Sequence, residues 1–131
     1  MNEKINEALT ALKSLESYGY KERAVTIDKI KIVLAPLTAG EIVEVFEASN
    51  KYDDVDASTQ SLKIETLVRA IIAVNDVKFD PKGHLVEKKS IVSSFGDELV
   101  DILFSEYCLL DKTVKDNIDK REATHSTGGE V

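Results

Sequence analysis

A single cysteine, Cys108, leaves this 131-residue chain without an internal disulfide. Two histidines, His84 and His125, do not supply with it the roughly four ligands of a structural zinc site. No apolar run approaches the ~20 residues that a membrane-spanning helix needs, and Met1 to Tyr20 lacks the apolar h-region of a secretory signal. Basic residues are in the minority: 17 Lys and Arg stand against 24 Asp and Glu, a net charge of -7, which disfavours a general electrostatic grip on nucleic acid or anionic lipid. Neither a G-x-G-x-x-G nor a G-x-x-x-x-G-K-[ST] phosphate loop occurs. Together these absences read as a cytoplasmic chain whose partners are proteins, with no nucleic acid, membrane or cofactor involved. What is present is core material: 43% of residues are hydrophobic and 31% charged, enough for one folded domain at this length.

Ile5, Ala8, Leu9, Leu12 and Leu15 fall at helical spacing, with Glu3, Lys4, Glu7 and Lys13 elsewhere around the wheel, so the chain opens on an amphipathic helix. Tyr18 to Arg23 breaks that pattern, and the helix is expected to be a separate arm. From Ala24 to Ala35 the period becomes two, but its phase flips between Val25, Ile27 and Ile30, Ile32, Leu34. A hairpin turning at Asp28 and Lys29 restores one face; a bulged single strand is the alternative. Pro36 closes the strand, and Thr38-Ala39-Gly40-Glu41 is a T-x-x-E capping box that starts a helix at Ala39. Its expected apolar face is Ile42, Val45 and Phe46, with Ser49 alongside, and it should stop near Asn50. A second helix, capped by Asp56 or Ser58, carries Ile64, Leu67, Val68 and Ile71 and should pack antiparallel to the first. Ile72 and Val74, then Val77 and Phe79, flank Asn75 and Asp76 as a second small hairpin, and a short helix through Ile91, Val92 and Phe95 reaches Gly96. The last helix bears Val100, Leu103, Tyr107, Leu110, Val114 and Ile118 in steps of three and four, acidic at its start and basic at its end. That face is wider than a coiled-coil seam, so it suits packing onto the domain body at least as well as self-pairing.

Residues with chemistry are sparse. Asp54, Asp56, Ser58, Gln60 and Glu65 match a calcium-loop register only in part, because Thr59 stands at the glycine position, Leu62 at the ninth, and Glu65 inside a helix. A polar turn with capping carboxylates is the better reading. Cys108 has no neighbouring base to activate it as a nucleophile and is expected to be a half-buried or interfacial thiol. No catalytic or metal-binding residue is therefore assigned, and the chain is expected not to be an enzyme.

The run VTIDKIKIVLAPLTAGE, Val25 to Glu41, resembles the opening of the small tail assembly chaperones of tailed bacteriophages, where a short β element leads into a "PLT-x-x-E" helix start. KIETLVRAIIAVNDVKF, Lys63 to Phe79, is similar to that family's second helix running into a short turn, and Asp97 to Ile118 resembles its helical end. The resemblance covers about 95 residues, from Val25 to Asp119. Departures are Lys29 and Asp76 at positions where glycine is expected, and the added N-terminal helix. The resemblance implies a protein that binds the tape-measure protein during tail morphogenesis in the host cytoplasm, keeping its hydrophobic helices soluble. Small baseplate or hub proteins look similar and imply the alternative, a permanent component of the virion tail.

The expected fold is therefore α+β and mainly helical: a bundle-like domain with one or two small β-hairpins. The expected segments are 1-23 as arm and connector, 24-120 as the domain and 121-131 as a flexible tail. Candidate partner-binding residues are Ile5, Leu9, Leu12, Leu15, Val114 and Ile118, on tape-measure or other tail proteins, with a homo-oligomer also open. The expected core is Ile32, Leu34, Ile42, Val45, Phe46, Leu67, Ile71, Val100, Leu103 and Tyr107.

Overall fold

The computed structural model describes residues 2-18, 20-80 and 83-110. The fold is α+β and mainly helical. Helix α1 (Asn2–Lys13) continues into a 3₁₀ turn (Ser14–Ser17). Strands β1 (Arg23–Ile27) and β2 (Ile30–Leu34) follow, then helices α2 (Ala39–Ser49) and α3 (Val55–Ala70). Strands β3 (Ile71–Val74) and β4 (Val77–Lys78) lead to helix α4 (Leu85–Ser93) and a final helix α5, described over 97-110.

Both predicted hairpins form. Asp28 and Lys29 have φ of 52° and 67°, and Asn75 and Asp76 have 50° and 67°. Two successive left-handed residues make a type I′ turn, whose twist matches that of the flanking strands. Asn75 Oδ1 also accepts from the Lys31 amide at 3.0 Å, and Lys31 Nζ meets Asp76 at 2.9 Å, so the second turn is tied to the strand beside it. The two hairpins merge into one antiparallel sheet in the order β1-β2-β3-β4. The β2-β3 register shifts between Val33 and Leu34, leaving Ile72 as an extra residue on β3.

The capping box is complete: the Glu41 amide donates to Thr38 Oγ1 at 3.2 Å and the Thr38 amide to Glu41 Oε1 at 2.8 Å. Helix α3 starts earlier than expected, at Val55, because Asp54 rather than Asp56 or Ser58 is the cap and accepts from the Asp56 amide. α2 and α3 pack antiparallel. Ser58 Oγ reaches the carbonyl of Ser49 at one end, and Arg69 reaches Glu44 at the other. α3 runs directly into β3, so one segment lies in both the helical layer and the sheet.

Leu34, Leu67, Val68, Ile71, Val92, Val100, Leu103, Tyr107 and Leu110 form the core. The α5 stripe is buried from Val100 to Leu110, so this part of it serves the domain body. Tyr107 also orients the strand-to-helix link, its hydroxyl accepting from the Leu37 amide at 3.3 Å. Three expected core positions differ. Ile42 and Phe46 are exposed and Ile32 is half-buried. Phe95 lies past the end of α4, which closes at Ser93. Residues 111-131, including the expected tail, lie outside the described residues.

Candidate partner-binding surface

α1 has no buried residue. Ile5, Leu9, Leu12 and Leu15 are 55%, 58%, 65% and 58% exposed, an apolar stripe that lies open in the single chain. Val114 and Ile118, the other two candidates, lie outside the described residues.

The α2 surface was missed by sequence reasoning. Ile42, Val43 and Phe46 are 42%, 57% and 51% exposed and make a second apolar patch. Periodicity gives an arc of apolar residues but not its rotation against the neighbour. Here α2 turns its small residues inward: Val45 and Ser49 are buried, and Ser49 Oγ returns its hydrogen bond to the Val45 carbonyl at 2.8 Å. The rotation is also fixed by Glu44, which lies 3.1 Å from Arg69 of α3. The available signal was Val43 beside Ile42, which widens the apolar arc beyond one buried stripe, together with the small pair Ala48 and Ser49.

Between the sheet and α4-α5 lies an apolar cleft of about 580 Å³. Its floor includes Ile71, Val92 and Leu103, and its rim includes Ile30 and Ile91, which are both exposed. Lys88 closes one end. Its Nζ donates to the Ile71 carbonyl at 3.0 Å and stands 5.0 Å from the centre of the Phe79 ring. Burial pushes the Lys88 ammonium below the ordinary lysine range; Glu41 opposes that shift and Arg69 adds to it.

A second pocket of about 380 Å³, also lined by Lys88, has Arg69 and Lys78 in its lining with Glu41, Glu44 and Asp80. Its charges balance and are largely committed. Arg69 bonds both Glu44 and Glu65, and Lys89 Nζ reaches the other Glu65 oxygen at 2.7 Å. Burial alone would raise the Glu65 pKa, but the hydrogen bonds from Lys89 and Arg69 outweigh it and hold the carboxyl below its ordinary value. At the rim Tyr20 donates to Glu22 at 2.8 Å, and burial, reinforced by that carboxylate, pushes its hydroxyl up to about 12.

The partial calcium register resolves into other roles, Asp54 as helix cap and Glu65 as the centre of the ion network. Among the described residues no group of three or more His, Cys, Asp or Glu is arranged to hold a metal ion, and no helix is long and apolar enough to cross a membrane. His84 lies at the start of α4 in a left-handed conformation, 3.3 Å from Glu87. Of the two expectations for Cys108, half-buried or interfacial, its exposed position on α5 removes the first, because the helix turns Tyr107 and Leu110 to the core instead.

Among solved structures the chain is similar to the bacteriophage HK97 tail assembly chaperone, over 84% of this chain and 96% of that one, at a TM-score of 0.41 and 15% sequence identity. No family model and no curated protein matches the sequence. Chemically, the surfaces described above can take up apolar side chains, and the committed charges around Arg69 serve to hold α2, α3 and α4 together.

Proposed function

We propose that the chain is a non-enzymatic tail assembly protein of a tailed bacteriophage, a chaperone that binds the tape-measure protein in the host cytoplasm. The observation that carries the reading is the amount of apolar surface left open on an acidic chain: the α1 stripe, the Ile42-Val43-Phe46 patch of α2 and the sheet cleft. An amphipathic partner helix binds by laying its apolar face into such grooves. A net charge of -7 keeps the loaded complex from aggregating through the same surfaces. The sequence resemblance adds support from positions that have structural work to do. The PLT-x-x-E segment caps α2, and the segment from Lys63 to Phe79 turns from helix into hairpin at Asn75 and Asp76.

Co-expression tests the reading. A tape-measure fragment that is insoluble alone is expected to stay in solution with this chain and to precipitate with a Phe46→Ser, Leu9→Ser variant. Mass spectrometry of purified virions then addresses the alternative of a permanent baseplate or hub component. Absence of the chain from the particle supports the chaperone, and stoichiometric peptides overturn it.

A further inference from the structure

The two edges of the sheet are treated differently. β4 is two residues long and carries Lys78, the usual protection against edge-to-edge pairing. β1 is five residues long, and its one charge, Arg23, is drawn to Glu106 of α5 at 2.6 Å. In a hairpin closed by a two-residue turn, Ile27 and Ile30 form a hydrogen-bonded pair, so Val25 and Ile32 form the next one. The backbone groups of Ala24 and Thr26 therefore point away from β2. Both residues are exposed, uncharged and small, and no described residue bonds to those outward amides.

We propose that this edge pairs with β1 of a second copy, antiparallel about a two-fold axis, and that α1 of each copy seats in the sheet cleft of the other. The edge is self-complementary, as a two-fold interface requires, because the same uncharged residues meet themselves. Antiparallel pairing sets the start of one β1 beside the turn end of the other. α1 is attached at that start, and Ile27, Asp28 and Ile30 at the turn line the cleft.

Within one chain α1 is not seated there: none of its residues lines the cleft, and the Tyr20 amide folds the connector back onto the Ser17 carbonyl at 3.0 Å. Lengths agree as well, a 12-residue helix rising about 18 Å against strands of about 17 Å. Charge does not oppose the seating, since Lys4 and Lys13 balance Glu3 and Glu7 on α1. Area decides that both parts are needed. A five-residue edge alone covers far less than the ~800 Å² per partner of a stable interface, and the α1 stripe and cleft supply the remainder.

Sedimentation velocity on the full chain tests this directly, without any tail partner: a dimer leaves the Ile42-Val43-Phe46 patch of α2 as the open surface for that partner, and a monomer leaves α1 and the cleft open to it as well, so the chaperone reading stands apart from the outcome. The chain is expected to sediment as a dimer at tens of micromolar. Thr26→Pro removes the outward amide while leaving the β1-β2 ladder intact, and Leu12→Glu charges the α1 stripe; each is expected to weaken the dimer at least tenfold with an unchanged circular dichroism spectrum. In a Cys108→Ser background, mixing Leu12→Cys chains with Ile91→Cys chains should give a disulfide-linked heterodimer. A monomer at 100 μM, a Leu12→Glu chain that dimerises as tightly as its parent, or no cross-link between the mixed chains overturns the proposal. Should Thr26→Pro fail to fold, Leu12→Glu decides, because it lies on a helix that buries nothing.

Discussion

α1 and α3 are both amphipathic in sequence, with apolar residues at three- and four-residue steps, yet α1 buries nothing while α3 buries Glu65, Thr66, Leu67, Val68 and Ala70. α3 is covered from two sides, by α2 and α4, and its last turn continues into β3 inside the sheet. The α1 stripe stays exposed among the described residues. A helix of its length is marginal alone in water. The difference shows that an apolar stripe specifies a face that wants cover, whereas the cover itself comes from another element or from another molecule.

The largest test of that contrast is Leu103→Ala, at a fully buried core position shared by α5 and the cleft floor. Urea denaturation should show a loss of about 2 to 5 kcal/mol. A loss below ~1 kcal/mol would place Leu103 at a surface. Next is Arg69→Leu, which leaves the Glu65 carboxylate with Lys89 alone and should cost about 2 kcal/mol at neutral pH. The same network gives a pH dependence. Because the folded carboxyl of Glu65 is held below its ordinary value, its contribution is complete above the unfolded pKa of about 4.3 and is lost as pH falls through the folded one. Thermal melts at falling pH should therefore destabilise the parent more steeply than a Glu65→Gln variant.

Smaller is Thr38→Ala, which removes one half of the capping box and should lower stability by about 1 kcal/mol. Smallest are Leu9→Ser and Phe46→Ser in the isolated chain, each expected within about 0.5 kcal/mol of the parent at low concentration, as for surface positions. Phe46 sharpens the comparison, since the core position assigned to it from periodicity would cost about 3 to 5 kcal/mol on truncation. Deleting Met1 to Ser17 should likewise leave the melting temperature of the remainder nearly unchanged while weakening association. A truncated chain that does not fold would place α1 in the core.

Local chemistry was legible from the sequence because it is settled within a few residues. Asp28-Lys29 and Asn75-Asp76 turn the chain where the apolar phase flips or pauses, although neither pair contains glycine, and Thr38 with Glu41 starts α2 by closing two hydrogen bonds over four residues. The α5 stripe was readable for the same reason, its spacing alone aligning Val100, Leu103, Tyr107 and Leu110 on one side. The functional surface was legible only in part. Ile5, Leu9, Leu12 and Leu15 could be named as a stripe, but their exposure depends on no other element covering them. The tertiary structure alone decided the remainder: that two hairpins become one sheet, that α2 rotates Ile42 and Phe46 outward, and that Glu65 sits between Arg69 and Lys89. These outcomes depend on contacts between residues far apart in the chain, where the size of Ser49 or the reach of Arg69 sets which face goes inward, and periodicity carries no information about the partner across the gap.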